Sequence, residues 1–329
     1  MFNLSSFSYR IAIMLLSTIS LTGCVTSRFS EPITSLRDSI NTSGTAIGVY
    51  YAELNKFERE IYLDECLYDP NMEVSTTDNN GNPTPLIGSP FSAESIKART
   101  DAIEILGVYA QRLGELAGSE APKQFAEGSK ILGDNLFNLQ VTFDKLGKSD
   151  EEKKIIDKTA KNYSGPIGTI VGVIGRMYLE KQRDDAIKKA IEDGAPEVRK
   201  VLILLQNDLT SVIDPLKRIG LKEKLAHRAG YFNENRNTVL NIKDNFAQRK
   251  QTLAEIDAAA SRYEAALTAN PANLIQTMLD THESLVKYAG SPKTPQNFTE
   301  LLAALETFKS RAQEIADAVK QIRDLRKGG

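Results

Sequence analysis

Apolar residues recur along most of this chain at alternating spacings of four and three. From about Pro32 to Tyr68 the positions are Leu36, Ile40, Ser43, Ile47, Tyr50, Leu54, Phe57 and Ile61. A repeat of 3.5 residues is a heptad seam, the pattern of a helix that lays one face along another helix. Related seams run through Ile96, Ile103, Leu106, Ala110, Leu113 and Ala117, and through Phe125, Ser129, Leu132, Leu136, Leu139, Phe143 and Leu146. Three more lie further along: Val198 to Ile219, Val239 to Leu267, and Leu301, Leu305, Phe308, Ala312, Ile315, Val319 and Ile322. Strand-like alternation is almost absent. The pattern predicts an all-α fold, an elongated antiparallel helical bundle with coiled-coil-like heptad packing.

Turn residues punctuate the seams. Pro32 opens the first helix, Gly118 and Gly147 close the second and third, and Ser149 caps a fourth with Asp150, Glu151 and Glu152 in its first turn. Each choice suits the orphan groups and the dipole of a helix end. Pro196 is expected to start a new helix after a stop near Asp193, Pro215 to kink or divide it, and Gly220 or Gly230 to interrupt its continuation. A rod then runs to about Asn270, with Arg249 as the one charged intruder in its seam, and Pro271 restarts a short helix to Ala289. The last helix spans about Gln296 to Arg326. Residues 69–91 hold Asp69-Pro70, Asn79-Asn80-Gly81-Asn82-Pro83 and Pro85, and form the longest non-helical insertion, either a connection or a loop that touches a partner.

One stretch departs in composition. Gly165, Gly168, Gly172 and Gly175 interrupt an apolar run that includes Ile167, Ile170, Ile174 and Met177. Each glycine costs a helix about 1 kcal/mol relative to alanine. Dense packing at the centre of the bundle is the expected compensation, because small residues let another helix approach closely. The alternatives are a membrane-active segment over 165–179 and a conformational hinge. The apolar part is too short to span a bilayer as one helix and contains Arg176.

The amino terminus carries the most specific motif. Arg10 precedes the apolar run Ile11 to Leu21, and small residues lead into a cysteine at Leu21-Thr22-Gly23-Cys24. A basic start, a short apolar centre and a small-residue cleavage site make a secretory signal peptide. At Leu21 to Cys24 the chain resembles the lipobox of bacterial lipoproteins. The resemblance covers the first 24 residues and implies processing rather than fold. Cys24 would receive a diacylglyceryl group, become the first residue after cleavage, and be acylated on its amine. Two or three chains make membrane attachment effectively permanent, where one alone is marginal. Val25 comes directly after the cysteine. In envelope lipoproteins an aspartate there commonly retains the protein in the inner membrane, so Val25 favours the outer membrane. The resulting domain plan is a signal peptide over 1–23, a lipidated tether over 24–31, a first helical sub-bundle over 32–148 with its loop at 69–91, and a second over 149–329. One continuous bundle fits the pattern equally well.

Composition adds exclusions. The full chain has 41 basic and 43 acidic residues, and loss of Arg10 with the signal takes the formal charge from −2 to −3. This is not the balance of a nucleic-acid binder. With Cys24 lipidated, Cys66 is the only thiol left, so no intramolecular disulfide is available. Cys66 lies in an apolar helical pattern and reads as a small buried side chain, with an intermolecular disulfide or reactive thiol as the alternative. His227 and His282 are the only histidines. His282-Glu283 lacks the second histidine of a zinc helix, and His227 reads as part of a solvated helix end. Gly147-Lys148-Ser149 lacks the earlier glycine of a phosphate loop, since Thr142 stands there. Lys320, Arg323, Arg326 and Lys327 suit a helix carboxyl end.

The expectation is therefore a non-enzymatic lipoprotein, held on the membrane by Cys24 and acting as a scaffold or protein-binding module. It has a protein partner or self-associates, binds no nucleic acid, and has no cofactor, metal or catalytic residue. The alternative is a membrane-active helical protein resembling α-pore-forming toxins.

Overall fold

A computed structural model describes residues 27–68, 93–118, 164–177, 184–210, 214–291 and 294–327. Every regular element among them is a helix: α1 (Ser30–Tyr68), α2 (Ala93–Ala117), α3 (Ser164–Met177), α4 (Asp184–Asp208), α5 (Asp214–Asn235), α6 (Phe246–Thr268), α7 (Pro271–Gly290) and α8 (Pro295–Lys327). The chain is all-α. The expected helix over 121–146, the loop over 69–91, the Ser149 cap and Cys24 itself lie outside the described residues.

The seams of α1, α2 and α8 are buried where the heptad places them. Leu36, Ile40, Ser43, Ile47 and Tyr50 are buried on α1, Ile103 to Ala117 on α2, and all seven seam positions from Leu301 to Ile322 on α8. α1 packs against α2, α5 and α8. It meets α2 in antiparallel register: an added Cβ on Gly44 would lie 3.1 Å from the Ile103 methyl, and one on Gly107 would lie 2.8 Å from Asn41 Oδ1. Helices that approach this closely need a residue with no side chain at the contact. A single apolar core joins helices on both sides of residue 149, from Phe29 through Ile174 to Ile322.

The second half of the chain is one long antiparallel hairpin. Arg199 pairs with Glu283 at 2.5 Å, the Gln206 amide donates to Gln276 at 2.7 Å, Arg228 donates to the Glu255 carbonyl at 3.3 Å, and Arg249 lies over the Phe232 ring at 4.9 Å. Each step outward on α4 and α5 is matched by a step inward on α7 and α6, so the two strands of helix stay in register. The outgoing arm is made of α4, 25 residues and about 37 Å long, and α5, 22 residues and about 33 Å long at 1.5 Å per residue. Its base lies beside the start of α1, where Ser27 Oγ donates to Asp184 at 2.7 Å. Its far end is the turn at 236–245. α8 then runs back antiparallel to α7, with Thr281 Oγ1 donating to the Ala304 carbonyl at 3.1 Å and Lys287 pairing with Glu300 at 2.5 Å.

Several boundaries differ from those predicted. Pro196 lies inside α4 rather than at a helix start. Proline removes one helical hydrogen bond, but Pro196 is on the exposed side, and buried Ile187 and Ile191 before it and Val198, Leu202 and Leu205 after it hold both halves to the core. Gly220 and Gly230 do not interrupt α5, which runs on to Asn235. Pro215 stands in its first turn, and residues 211–213, where the division was expected, lie outside the described residues. The seam expected from Val239 to Leu267 is largely absent. Val239, Ile242, Phe246, Leu253 and Leu267 are exposed, and the buried positions of α6 are Thr252, Ala259, Arg262, Ala265 and Ala266. Residues 27–31, expected as part of a tether, are seated on the body: Phe29 is fully buried and the Ser27 N–H donates to the Ala117 carbonyl at 3.3 Å.

The four glycines of α3 also lie where packing was not expected to put them. Ile167, Ile170, Val173, Ile174 and Met177 form its buried face, against α2 and α4. Gly165, Gly168, Gly172 and Gly175 occupy the exposed side, and an added Cβ at 165, 168 or 175 would meet nothing within 4 Å among the described residues. Close approach is instead supplied by Gly194, where a Cβ would lie 2.9 Å from the buried Tyr109 ring. The contrast gives a direct test by chemical denaturation. Gly168→Ala and Gly175→Ala should each stabilise the chain by about 0.5–1 kcal/mol, whereas Gly194→Ala should destabilise it by about 1–3 kcal/mol through overpacking. Destabilisation by the two α3 variants would mean that the glycine face is in contact after all.

Candidate functional site

A groove lies at the base of the hairpin, between the first turns of α1 and α8. Its volume is about 880 Å³. Clefts of a few hundred to about 1,000 Å³ are the usual size for a small ligand. One wall is the amino-terminal part of α1, where Ser35, Ser39 and Thr42 repeat at spacings of four and three. This is a polar seam one residue out of phase with the apolar seam Leu36, Ile40, Ser43. Short side chains there, and Ala312 opposite, leave the space between α1 and α8 unfilled. Lys309 and Gln313 complete the α8 wall.

The floor is aromatic. Tyr288, at the end of α7, meets Phe29 edge-on at 5.3 Å and Phe298 at 5.8 Å. Phe29 and Tyr288 are buried, and Phe298 is half-buried. Burial raises the Tyr288 phenol, with Asp184 adding to the effect and Arg28 opposing it, so the hydroxyl stays neutral and able to donate. Thr34 and Thr42 donate their hydroxyls back to the carbonyls of Ser30 and Asp38, at 2.8 and 3.0 Å. Their oxygens retain lone pairs that can accept from a ligand. Around the rim, Arg28 and Lys309 are balanced by Glu31 and Asp38, and Asp38 pairs with Arg37 at 2.8 Å.

Such a groove offers many neutral donors and acceptors, apolar rings for stacking, and no net charge. It suits an uncharged, hydroxyl-rich molecule better than a phosphate or a polyanion.

No family model, characterised protein or solved structure matches the chain. The groove must therefore be read on its own chemistry.

The residues singled out in the sequence do not converge on it. Cys24 falls outside the described residues, three positions before Ser27. Cys66 is a free thiol and only half-buried, not the fully buried side chain expected. His282 is buried beside Tyr109, with ring centroids 6.1 Å apart, and its Nε2 has no hydrogen-bond partner among the described residues. Desolvation holds its pKa at about 4. His227 is half-buried rather than solvated. Among the described residues no group of histidine, cysteine and acidic side chains is placed to hold a metal, and no helix is long and apolar enough to cross a membrane.

Two charged clusters were missed. Arg99 of α2 and Asp208 of α4 are both buried and form a two-pronged ion pair, with Arg99 Nη2 donating to Asp208 Oδ1 at 3.0 Å and Nε donating to Oδ2. The Arg99 guanidinium also lies 5.9 Å from the Tyr51 ring centroid. Glu60 of α1 accepts from Lys224 and Arg262, at 2.8 and 3.0 Å, and ties α1 to the long hairpin. The groove itself had one sequence signal, the Ser/Thr repeat beside the apolar seam of α1.

Proposed function

We propose that the chain is a lipid-anchored, non-enzymatic binding module of the bacterial envelope, built as an elongated antiparallel helical bundle with coiled-coil-like packing, and that it holds a glycan in the groove at its anchored end. The lipobox resemblance at Leu21 to Cys24 supports the anchor, and the lining of the groove carries the ligand class. Hydroxyls of Ser30, Thr34, Ser35, Ser39 and Thr42, the Gln313 amide and the Tyr288 and Phe298 rings are the side chains that a sugar's hydroxyls and apolar ring face require. Ser27 is three residues from Cys24, so a lipidated cysteine lies within about 11 Å of the groove at full extension. The ligand would be met at the membrane surface, with the hairpin projecting away as a scaffold.

The test is titration calorimetry of residues 25–329, which retain every described residue, against peptidoglycan disaccharide–peptide and lipopolysaccharide core oligosaccharide. Binding to either is expected, with Ser35→Phe or Ala312→Phe weakening it at least tenfold while leaving the thermal midpoint within a few degrees. Loss of all sugar binding, together with a stoichiometric protein crosslinked in cells through position 35, would assign the groove to a polypeptide instead. The membrane-active alternative draws less support from the packing of α3. Swinging that helix out would expose five buried apolar side chains, a cost on the order of 10 kcal/mol.

A further inference from the structure

The far end of the long hairpin carries the most exposed apolar cluster in its half of the chain. Val239, Ile242 and Phe246 are 48%, 58% and 63% exposed, and Leu253 is 45% exposed two turns further along α6. They do not sit on a loose loop. Leu240 is fully buried beneath the turn. Arg249 donates to the carbonyls of Arg236 and Leu240, at 3.1 and 3.2 Å, and Asn245 donates to that of Val239 at 2.8 Å. Backbone donors add two more bonds: Leu240 N–H to the Asn235 carbonyl and Asn245 N–H to the Asn241 carbonyl, at 3.0 and 2.9 Å. The turn thus presents apolar side chains outward while the carbonyls of Arg236, Val239, Leu240 and Asn241 are satisfied from inside. Backbone groups that enter a lipid phase need that condition met.

Charge points the same way. From Arg236 to Lys250 the chain carries Arg236, Lys243, Arg249 and Lys250 against a single acid, Asp244, although the protein as a whole is slightly acidic. Glu234 stands just before the turn. Arg236, Lys243 and Lys250 are exposed around the apolar side chains. Basic residues attract an anionic lipid surface and are screened within a Debye length. Size separates a bilayer from a protein as the occupant. The tip is a hairpin end with four exposed apolar side chains, few beside the roughly 20–30 residues a side of a stable protein interface.

We propose that the turn at 236–246 is a membrane-contacting tip, which places Val239, Ile242 and Phe246 in the interface of an anionic bilayer while Arg236, Lys243 and Lys250 meet its phosphates. The tip lies two helices, α4 and α5, away from the base of the hairpin. Together with the anchor, which is part of the proposed function, it would link two apposed bilayers. The tip's own affinity does not depend on the anchor.

The test uses unlipidated residues 25–329. The chain has no tryptophan, so Phe246→Trp places a single reporter at the tip. Vesicles of 30% phosphatidylglycerol in phosphatidylcholine should bind the protein, blue-shift that tryptophan and expose it to quenching by brominated acyl chains. Pure phosphatidylcholine should bind at least tenfold more weakly, and 0.5 M salt should weaken the anionic case by a similar factor. Val239→Ser with Ile242→Ser, at exposed positions, should reduce binding at least tenfold with the helical circular dichroism unchanged. No spectral shift, or binding unaltered by the serine pair, overturns the proposal. So does a dimer in sedimentation that the serine pair dissociates, because the tip would then be covered by a second copy. Failure of the anchor reading would appear separately, as absence of lipid on Cys24 in the cell-derived protein.

Discussion

Replacing Arg99 with alanine is expected to destabilise the fold by about 3–5 kcal/mol. Arg99 and Asp208 are both buried, so neither charge has water to fall back on. Removing the guanidinium strands the Asp208 carboxylate between α2 and α4. Asp208→Ala should also destabilise the fold, by removing the two-pronged acceptor of a buried guanidinium. The double variant Arg99→Met with Asp208→Leu should recover most of the loss, because an apolar pair of similar size avoids the desolvation cost altogether. Urea denaturation of the parent, the two single variants and the double variant measures this as a cycle. Single variants within 1 kcal/mol of the parent would show that the pair is reached by water and is not the clamp its burial implies.

Acidification to pH 4.5 is expected to remove about 2–3 kcal/mol of stability through His282 alone. The ordinary histidine value is 6.5, and burial beside Tyr109 lowers it to about 4 in the folded chain. Between these values the unfolded chain binds a proton that the folded chain does not. Stability is therefore complete above about pH 6.5 and declines as the pH falls toward 4. His282→Leu should flatten this part of the profile and, at neutral pH, remove a buried nitrogen that has no partner among the described residues. Chemical denaturation at pH 7.5 and 4.5 checks both statements. An unchanged acid loss in the leucine variant would place the responsible group elsewhere.

Neither effect is announced by a motif, yet both leave a faint mark in the sequence. Arg99 falls at a seam position of α2, three residues after Ile96 and four before Ile103. Asp208 comes three residues after Leu205. A charge on an apolar seam signals burial with a partner, but a one-dimensional pattern does not name a partner 109 residues away. The α3 glycines show the opposite limit. Small residues at helical spacing permit close approach without requiring it, and the face actually buried was chosen by the bulk of Ile167, Ile170 and Ile174. The plausible seam through Val239, Ile242, Phe246 and Leu253, in the turn and the first part of α6, is exposed, and α6 instead buries Thr252, Ala259, Arg262, Ala265 and Ala266.

What the sequence alone determined is the helical class of the described chain and the buried faces of α1, α2 and α8. Those follow from heptad spacing, which acts over a few turns and needs only a neighbouring helix of any identity. The tertiary structure decided everything that depends on which helix is the neighbour. It set the register of the long hairpin, joined Arg99 to Asp208, and brought the Ser/Thr face of α1 to α8 and Tyr288 to make the groove. It also carried the apolar turn at 236–246 to the opposite end. These features arise between residues distant in sequence, where register is set by side-chain shape and charge at the contacts rather than by local periodicity.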